Sequence, residues 1–324
     1  MDDHGDVLQL NPPPAGLAFD HITTPSGARL RYALCGLQQK PIRGTVCLFQ
    51  GRGEFIEKYF ETIADLRRRN YAVAALDWRG QGGSSRLLRN SRKGHIKSFA
   101  QYDEDLVSFM RAVVLPDCPP PYYALAHSTG GSIVLRALPR RSWFQKVVVL
   151  APLLGINARG VPEGPARCLA RTGKLLGLGD AFVPGTGRHH LDHLSVEKSV
   201  LTSDPRRFAR TAALAKAFPD MAIGGPTIGW LCAALDCIDA FHRDFPAKAD
   251  FQTPVLMVLA GNEKVSDNQA ARRFARRMRS ISLIEIKGAR HEILMERDFY
   301  REQLWAAFDS FLEEESSWRY EEVA

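Results

Sequence analysis

Ser128 stands in the run Ala126-His127-Ser128-Thr129-Gly130-Gly131, where one apolar stretch ends and another begins. Small residues flanking a serine permit a sharp strand-to-helix turn, which lifts the hydroxyl out of the backbone and aims the next helix's amides at developing negative charge. A serine hydroxyl is a weak nucleophile and needs a base. Among nine histidines, His291 in "KGARHEIL" lies just beyond the last strand-like run, where a loop can carry imidazole over a sheet edge. The imidazole in turn needs a carboxylate to fix its tautomer. Glu263, just after the run "PVLMVLAG", is the expected acid. Asp267 is the alternative, although it also reads as the N-cap of the helix "NQAARRFARRMR". Negative charge on a tetrahedral intermediate requires two donors. The backbone amides of Arg52, in "LFQGRGEFIEKYF", and of Thr129 are the candidates, and the Arg52 guanidinium is read as structural or headgroup-facing.

These residues need elements that bring them to one edge. Strand-like runs occur at 19–24, 29–35, 45–50, 71–77, 122–127, 146–152, 254–261 and 282–288. The later ones are almost continuously apolar, as for parallel strands covered on both faces. Between them, 56–70, 98–115 and 268–279 carry apolar residues at helical spacing. The alternation predicts an α/β fold: a mostly parallel eight-stranded sheet with helices on both faces. From about Leu153 to Ala249 no strong strand appears, and helical patches such as "ARCLARTGKLLGL" and "GWLCAALDCIDAF" take over. This predicts a helical cap insertion at 153–253. The core is then 19–152 with 254–315, residues 1–18 are a loose arm and 316–324 an acidic tail. Within the cap, Leu175, Leu176, Leu178, Trp230, Leu231 and Leu235 are expected in the core.

The chain has 324 residues, 45% apolar and 24% charged, with a net charge of +7. That composition suits a folded globular domain. The six cysteines lack paired spacing and are expected as reduced, mostly buried thiols of a cytoplasmic protein. No apolar run reaches the length of a membrane span, and the acidic start lacks a signal-peptide core. Arginine clusters at 67–69, 86–93 and 271–279 form basic faces suited to peripheral contact with an anionic inner-membrane surface. No aromatic-interleaved basic motif accompanies them, so no nucleic-acid partner is expected. "RHHLDH" (188–193) has ligand-type side chains but reads as a polar cap loop, and neither metal nor cofactor is implied. "RGQGGSS" fails the dinucleotide fingerprint on spacing and reads as a loop-shaping segment. His127 is expected to pack beneath the oxyanion turn.

The order serine, acid, histidine is that of the α/β-hydrolase fold. The segments "FQGRGEFIEKYF", "LDWRGQGGSS", "AHSTGG", "LTSDPRRFAR" and "GARHEILME" together resemble the lysophospholipase and monoacylglycerol-lipase branch of the serine α/β-hydrolases, over about Phe19 to Phe311. The resemblance implies a triad at Ser128, Glu263 and His291, with Arg52 and Thr129 at the oxyanion positions. It also implies ester hydrolysis through an acyl-enzyme, with a single-chain acyl ester such as a lysophospholipid or monoacylglycerol as substrate. Two positions depart from the family pattern: Gln50 replaces a common histidine, and Ala126 the first glycine of the elbow. The alternatives are a small-ester carboxylesterase and a catalytically silent fold that binds ligands. Dehalogenase and epoxide-hydrolase chemistry is disfavoured, because those relatives need a carboxylate where Ser128 stands.

Overall fold

A computed structural model describes residues 9–157, 163–187, 195–243 and 251–313. Eight strands form one sheet: β1 (Leu17–Thr23), β2 (Arg29–Cys35), β3 (Thr45–Phe49), β4 (Ala72–Leu76), β5 (Tyr122–His127), β6 (Lys146–Leu150), β7 (Val255–Ala260) and β8 (Ile281–Ile286). Their order is β1-β2-β4-β3-β5-β6-β7-β8. β2 pairs antiparallel with β1 and β4, and every later pairing is parallel. The register sets Phe49 beside Ala126 and His127 beside Leu150, so the loops after β3, β5 and β6 leave from the same edge. Order reverses between β3 and β5, and such a switch point is where ligands meet open α/β sheets.

The helices are α1 (Phe60–Arg68), α2 (Ala100–Phe109), α3 (Thr129–Ala137), α4 (Glu163–Leu175), α5 (Pro205–Ala217), α6 (Ile228–Arg243), α7 (Asn268–Ala275) and α8 (Asp298–Glu313). α2 runs on through a π-helical turn, Met110–Val114. Strand residues alternate between two cores, as a pleated sheet requires. Phe49, Ala126, Val149 and Met257 face the side covered by α2, α3, α6 and α7. Leu48, Leu125, Leu150 and Val258 face α1 and α8.

α5 and α8 have no counterpart among the sequence-predicted elements. α5 begins at Asp204, whose carboxylate accepts from the Arg207 amide at 2.9 Å, followed by proline at the first helical position. α6 joins the main core: Trp230, Ala233, Cys237 and Phe241 are buried against the sheet, and Phe241 meets Phe274 edge to face at 5.3 Å.

The cap leucines divide. Trp230 and Leu235 are buried and Leu231 is partly so. Leu175, Leu176 and Leu178, expected in the core, are instead 87%, 71% and 52% exposed. Among the described residues α4 packs through Ala170 against Ile228 and Cys232 of α6. The helix stops at Gly177, whose φ of +80° turns the chain away, so the leucines around that stop project outward.

Candidate active site

Ser128 sits between β5 and α3 with φ +50° and ψ −114°, a conformation costly for a residue with a Cβ. The neighbourhood over-determines it. The Ser128 amide donates to Leu150 O at 2.9 Å, its carbonyl accepts from the Leu153 amide at 3.1 Å, and Ser132 Oγ donates to Leu153 O at 2.7 Å. Behind the serine, α3 approaches β3 so closely that a Cβ on Gly130 would lie 2.5 Å from Gln50 O and 2.6 Å from Phe49 O. That contact accounts for the glycine at 130.

The structure brings Ser128, His291 and Glu263 together and leaves Asp267 apart. Ser128 Oγ lies 3.1 Å from His291 Nε2, and His291 Nδ1 lies 2.7 Å from Glu263 Oε2. With Nδ1–H donating to the carboxylate, Nε2 is the acceptor facing the hydroxyl. Glu263 Oε1 accepts from the amides of Val265 (2.7 Å) and Ser266 (3.1 Å). Burial opposes charge on Glu263, but the His291 hydrogen bond, its charge and those two amides outweigh burial and hold the carboxyl below its usual range. Asp267 caps α7 instead, accepting from Gln269 and Ala270.

The turn after β3 lies against the serine, since a Cβ on Gly51 would stand 3.1 Å from Ser128 Cβ. Two of its three successive amides are occupied: Gly51 N–H donates to Glu54 Oε2 (2.5 Å) and Gly53 N–H to Gln81 Oε1 (3.2 Å). Among the described residues no acceptor bonds the Arg52 amide between them, nor the Thr129 amide at the start of α3. These are the two amides expected from sequence. Gln81, in the loop-shaping segment, clasps the turn by donating to Gly51 O (2.7 Å) and Glu54 O (3.0 Å). Gln50 donates to Asp77 Oδ1 at 2.9 Å, which also accepts from the Ile56 amide, while Asp77 Oδ2 accepts from Arg31. The residue at the family's histidine position therefore braces the turn from behind.

His127 is more than packing. Its Nδ1 meets Glu54 Oε2 at 2.9 Å and its Nε2 meets the His291 carbonyl at 3.1 Å. Lys58 Nζ bridges Glu54 Oε1 and Glu292 Oε1, each at 2.7 Å, and Tyr59 donates to Glu54 Oε2 at 2.7 Å. Burial works against every charge here. Lys58 and His127 nevertheless hold the Glu54 carboxyl well below its usual range, and Glu54 holds the His127 imidazole above its own. Sequence reasoning missed this cluster. Its one local signal was the four-residue spacing of Glu54 and Lys58, because Glu292 and His127 join only through the fold.

Among the described residues no group of His, Cys, Asp and Glu has metal-holding geometry, and no helix is long and apolar enough to cross a membrane. The segment "RHHLDH" lies outside the described residues. The six cysteines are unbridged, with Cys168 exposed and the rest buried.

A family model described as "Hydrolase_4: Serine aminopeptidase, S33" matches residues 40–298. Lysophospholipase L2 of Escherichia coli K12 is 33% identical over 281 residues, covering 84% of this chain and 81% of its own. The probable lysophospholipase L2 of Haemophilus influenzae is 27% identical over 303 residues, covering 93% and 89%. In fold, the chain is similar to a soluble variant of monoglyceride lipase from Saccharomyces cerevisiae, with a TM-score of 0.73 at 17% identity, covering 94% of this chain and 97% of that one. Eight strands in hydrolase order and sequence likeness over most of its length agree: the chain has the α/β-hydrolase fold and belongs to the serine aminopeptidase S33 family, in which its likeness at 33% identity is to lysophospholipase L2.

Proposed function

We propose that this carboxylic ester hydrolase cleaves lysophospholipids or monoacylglycerols through an acyl-enzyme formed on Ser128. Ser128 Oγ attacks the ester carbonyl carbon as His291 Nε2 takes its proton. Glu263 holds the imidazole's orientation and stabilises its charge, and the Arg52 and Thr129 amides bind the oxyanion. The alcohol leaves with the proton from His291. Water, deprotonated by the same imidazole, then releases the fatty acid. The observation that carries the reading is the unbroken relay of 3.1 Å and 2.7 Å from hydroxyl to carboxylate, set beside two amides that no acceptor bonds among the described residues. The substrate class rests on the relatives' names, lysophospholipase and monoglyceride lipase.

Ser128→Ala should retain the wild-type melting temperature while p-nitrophenyl ester turnover falls by about six orders of magnitude and fluorophosphonate labelling disappears. Labelling that persists at another residue, or turnover that survives, would move the nucleophile elsewhere. Wild type that neither labels nor turns over would return the chain to a ligand-binding role.

The cap also supports peripheral contact with an anionic lipid surface, the source of such substrates, by a cytoplasmic enzyme. Leu169 and Leu176, seven residues apart, are exposed together with Leu175 and Leu178. Arg171 and Lys174 lie exposed among them. Apolar side chains rimmed by cations suit insertion beneath acidic headgroups.

A further inference from the structure

Among the described residues most buried cations are answered by carboxylates, and Lys146 by the Phe311 carbonyl. Arg31 meets Glu57 and Asp77, Arg79 meets Glu104 and Asp105, and Arg207 meets Glu61, Asp204 and Asp298. Among the described residues Arg86 pairs with no carboxylate, but its guanidinium is satisfied by the carbonyls of Gly82, Ser84, Ser91 and Asp220. Arg52 is different. Its one side-chain hydrogen bond among the described residues runs from Nη2 to Gly224 O at 3.0 Å, in the connection between α5 and α6. No carboxylate of the described residues pairs with it, and its Nε is buried with no partner. The guanidinium lies over the Trp230 ring, 5.0 Å from the centroid, and Trp230 in turn donates to Tyr102 Oη at 3.2 Å. Stacking and one carbonyl fix the group's position without neutralising it, and the residue keeps partial exposure.

The position is as informative as the missing partner. Arg52 is the residue whose amide is proposed to bind the oxyanion, next to Gly51, which abuts Ser128. Its side chain therefore starts beside the proposed reaction centre and ends at Gly224 O, in the connection between α5 and α6. In a lysophospholipid the phosphate is joined to the ester through the glycerol unit alone. We propose that Arg52 is the subsite for the phosphate of the substrate's headgroup, and that it ranks phosphate-bearing acyl esters above neutral monoacylglycerols. Guanidinium and phosphate make charge-assisted, often bidentate hydrogen bonds, and Nε with one terminal nitrogen offers the paired donors this needs. Burial, against a smaller opposing effect of Tyr102, pushes the Arg52 guanidinium down to about 10, which still leaves it protonated at neutral pH.

The inference rests on the proposed ester chemistry at Ser128, and the test separates the two. Lysophosphatidylcholine and a monoacylglycerol with the same acyl chain are assayed in uncharged detergent micelles, against wild type, Arg52→Gln and Arg52→Lys. Arg52→Gln should lower the ratio of kcat/KM for the phospholipid to that for the monoacylglycerol by about 10- to 100-fold, the worth of one or two charge-assisted hydrogen bonds. Arg52→Lys should restore part of the ratio. Because each variant is compared with itself on two substrates, a general loss of folding or activity cancels. Glycerophosphocholine should inhibit wild type competitively and lose that effect in Arg52→Gln. A ratio unchanged by Arg52→Gln overturns the subsite while leaving the ester chemistry standing, whereas failure of wild type on both substrates overturns the ester chemistry itself. Inhibition by inorganic phosphate equal to that by glycerophosphocholine, with an unmoved ratio, assigns the cation to free phosphate and also overturns the headgroup subsite.

Discussion

Replacing Glu263 by glutamine asks the site a question with one geometric answer. The carboxylate now faces three donors: Val265 N–H and Ser266 N–H on Oε1, and His291 Nδ1–H on Oε2. A glutamine has one carbonyl oxygen and one NH₂ and cannot accept on both sides. Turning its oxygen to the two backbone amides keeps two hydrogen bonds, and turning it to His291 keeps one while pressing NH₂ against two N–H groups. At about 1 kcal/mol per hydrogen bond the first arrangement dominates. It presents NH₂ to Nδ1, which must become the acceptor, so the proton moves to Nε2. That nitrogen then faces Ser128 as a donor and can no longer take the hydroxyl proton. Wrong tautomer and lost countercharge together should lower kcat about 10⁴-fold, with the melting temperature changed by only a few degrees. Initial rates on a p-nitrophenyl ester, alongside a thermal melt, measure both. Asp267→Ala is the control: it removes a helix cap, costs about 1 kcal/mol, and should leave turnover within a few-fold. A folded Glu263→Gln enzyme retaining a tenth of wild-type turnover would refute the reasoning.

Two further expectations follow from packing and from exposure. Gly130→Ala sets a methyl 2.5 Å from a backbone oxygen of the β3 turn; it should cost about 1–3 kcal/mol and, by displacing the oxyanion turn, tens-fold in turnover. At its neighbour Gly131 the nearest atom to an added Cβ is Pro152 Cβ at 3.2 Å, with the nearest backbone atom at 3.5 Å, so Gly131→Ala should melt closer to wild type than Gly130→Ala, and equal behaviour of the two variants would contradict the contact. Leu175→Ser with Leu176→Ser should weaken sedimentation with phosphatidylglycerol-containing vesicles by at least about tenfold, from the apolar area withdrawn, while hydrolysis of a water-soluble ester stays the same. Undiminished binding would remove the cap from the lipid contact.

How much was legible depended on whether the signal was local. β3, β5, β6 and β7 are continuous apolar runs because both faces are covered, and a run of that kind is visible in a single window. The convergence of the proposed site was legible for a related reason: parallel strands deliver their next residues to one edge, so Ser128, Glu263 and His291 could be sought just after strands. Glu263 could be preferred to Asp267 because Asp267 had a local explanation as a cap, and it does cap α7. α5 carries a local start signal at Asp204-Pro205, but its length of 13 residues lies between segments rich in Pro and Gly that break the surrounding periodicity. The exposed leucines were misassigned because composition marks a residue as apolar without saying whether a partner exists on that side of the helix. The Glu54, Lys58, His127 and Glu292 cluster joins positions more than two hundred residues apart, and no spacing rule reaches that far.

That cluster bears on why the relay is preorganised. Oxyanion turn, serine elbow and histidine loop come from three separate parts of the chain, and each would be free to drift by more than the fraction of an ångström that proton transfer tolerates. Glu54 bonds the Gly51 amide of the first, His127 belongs to the second, and the His291 carbonyl and Glu292 belong to the third. Two carboxylates are set against one lysine and an imidazole whose two ring nitrogens both face acceptors, so opposite charges and donors meet within the cluster. A core of apolar residues could fill the same volume, but it would not fix the direction of an amide or a carbonyl. Hydrogen bonds to the backbone do so, and here they end on the residues adjoining both the proposed base and the proposed oxyanion donor. The buried charges are thus better explained by the orientation they impose on three loops than by stability, and the strained φ of Ser128 is held in place by the same convergence.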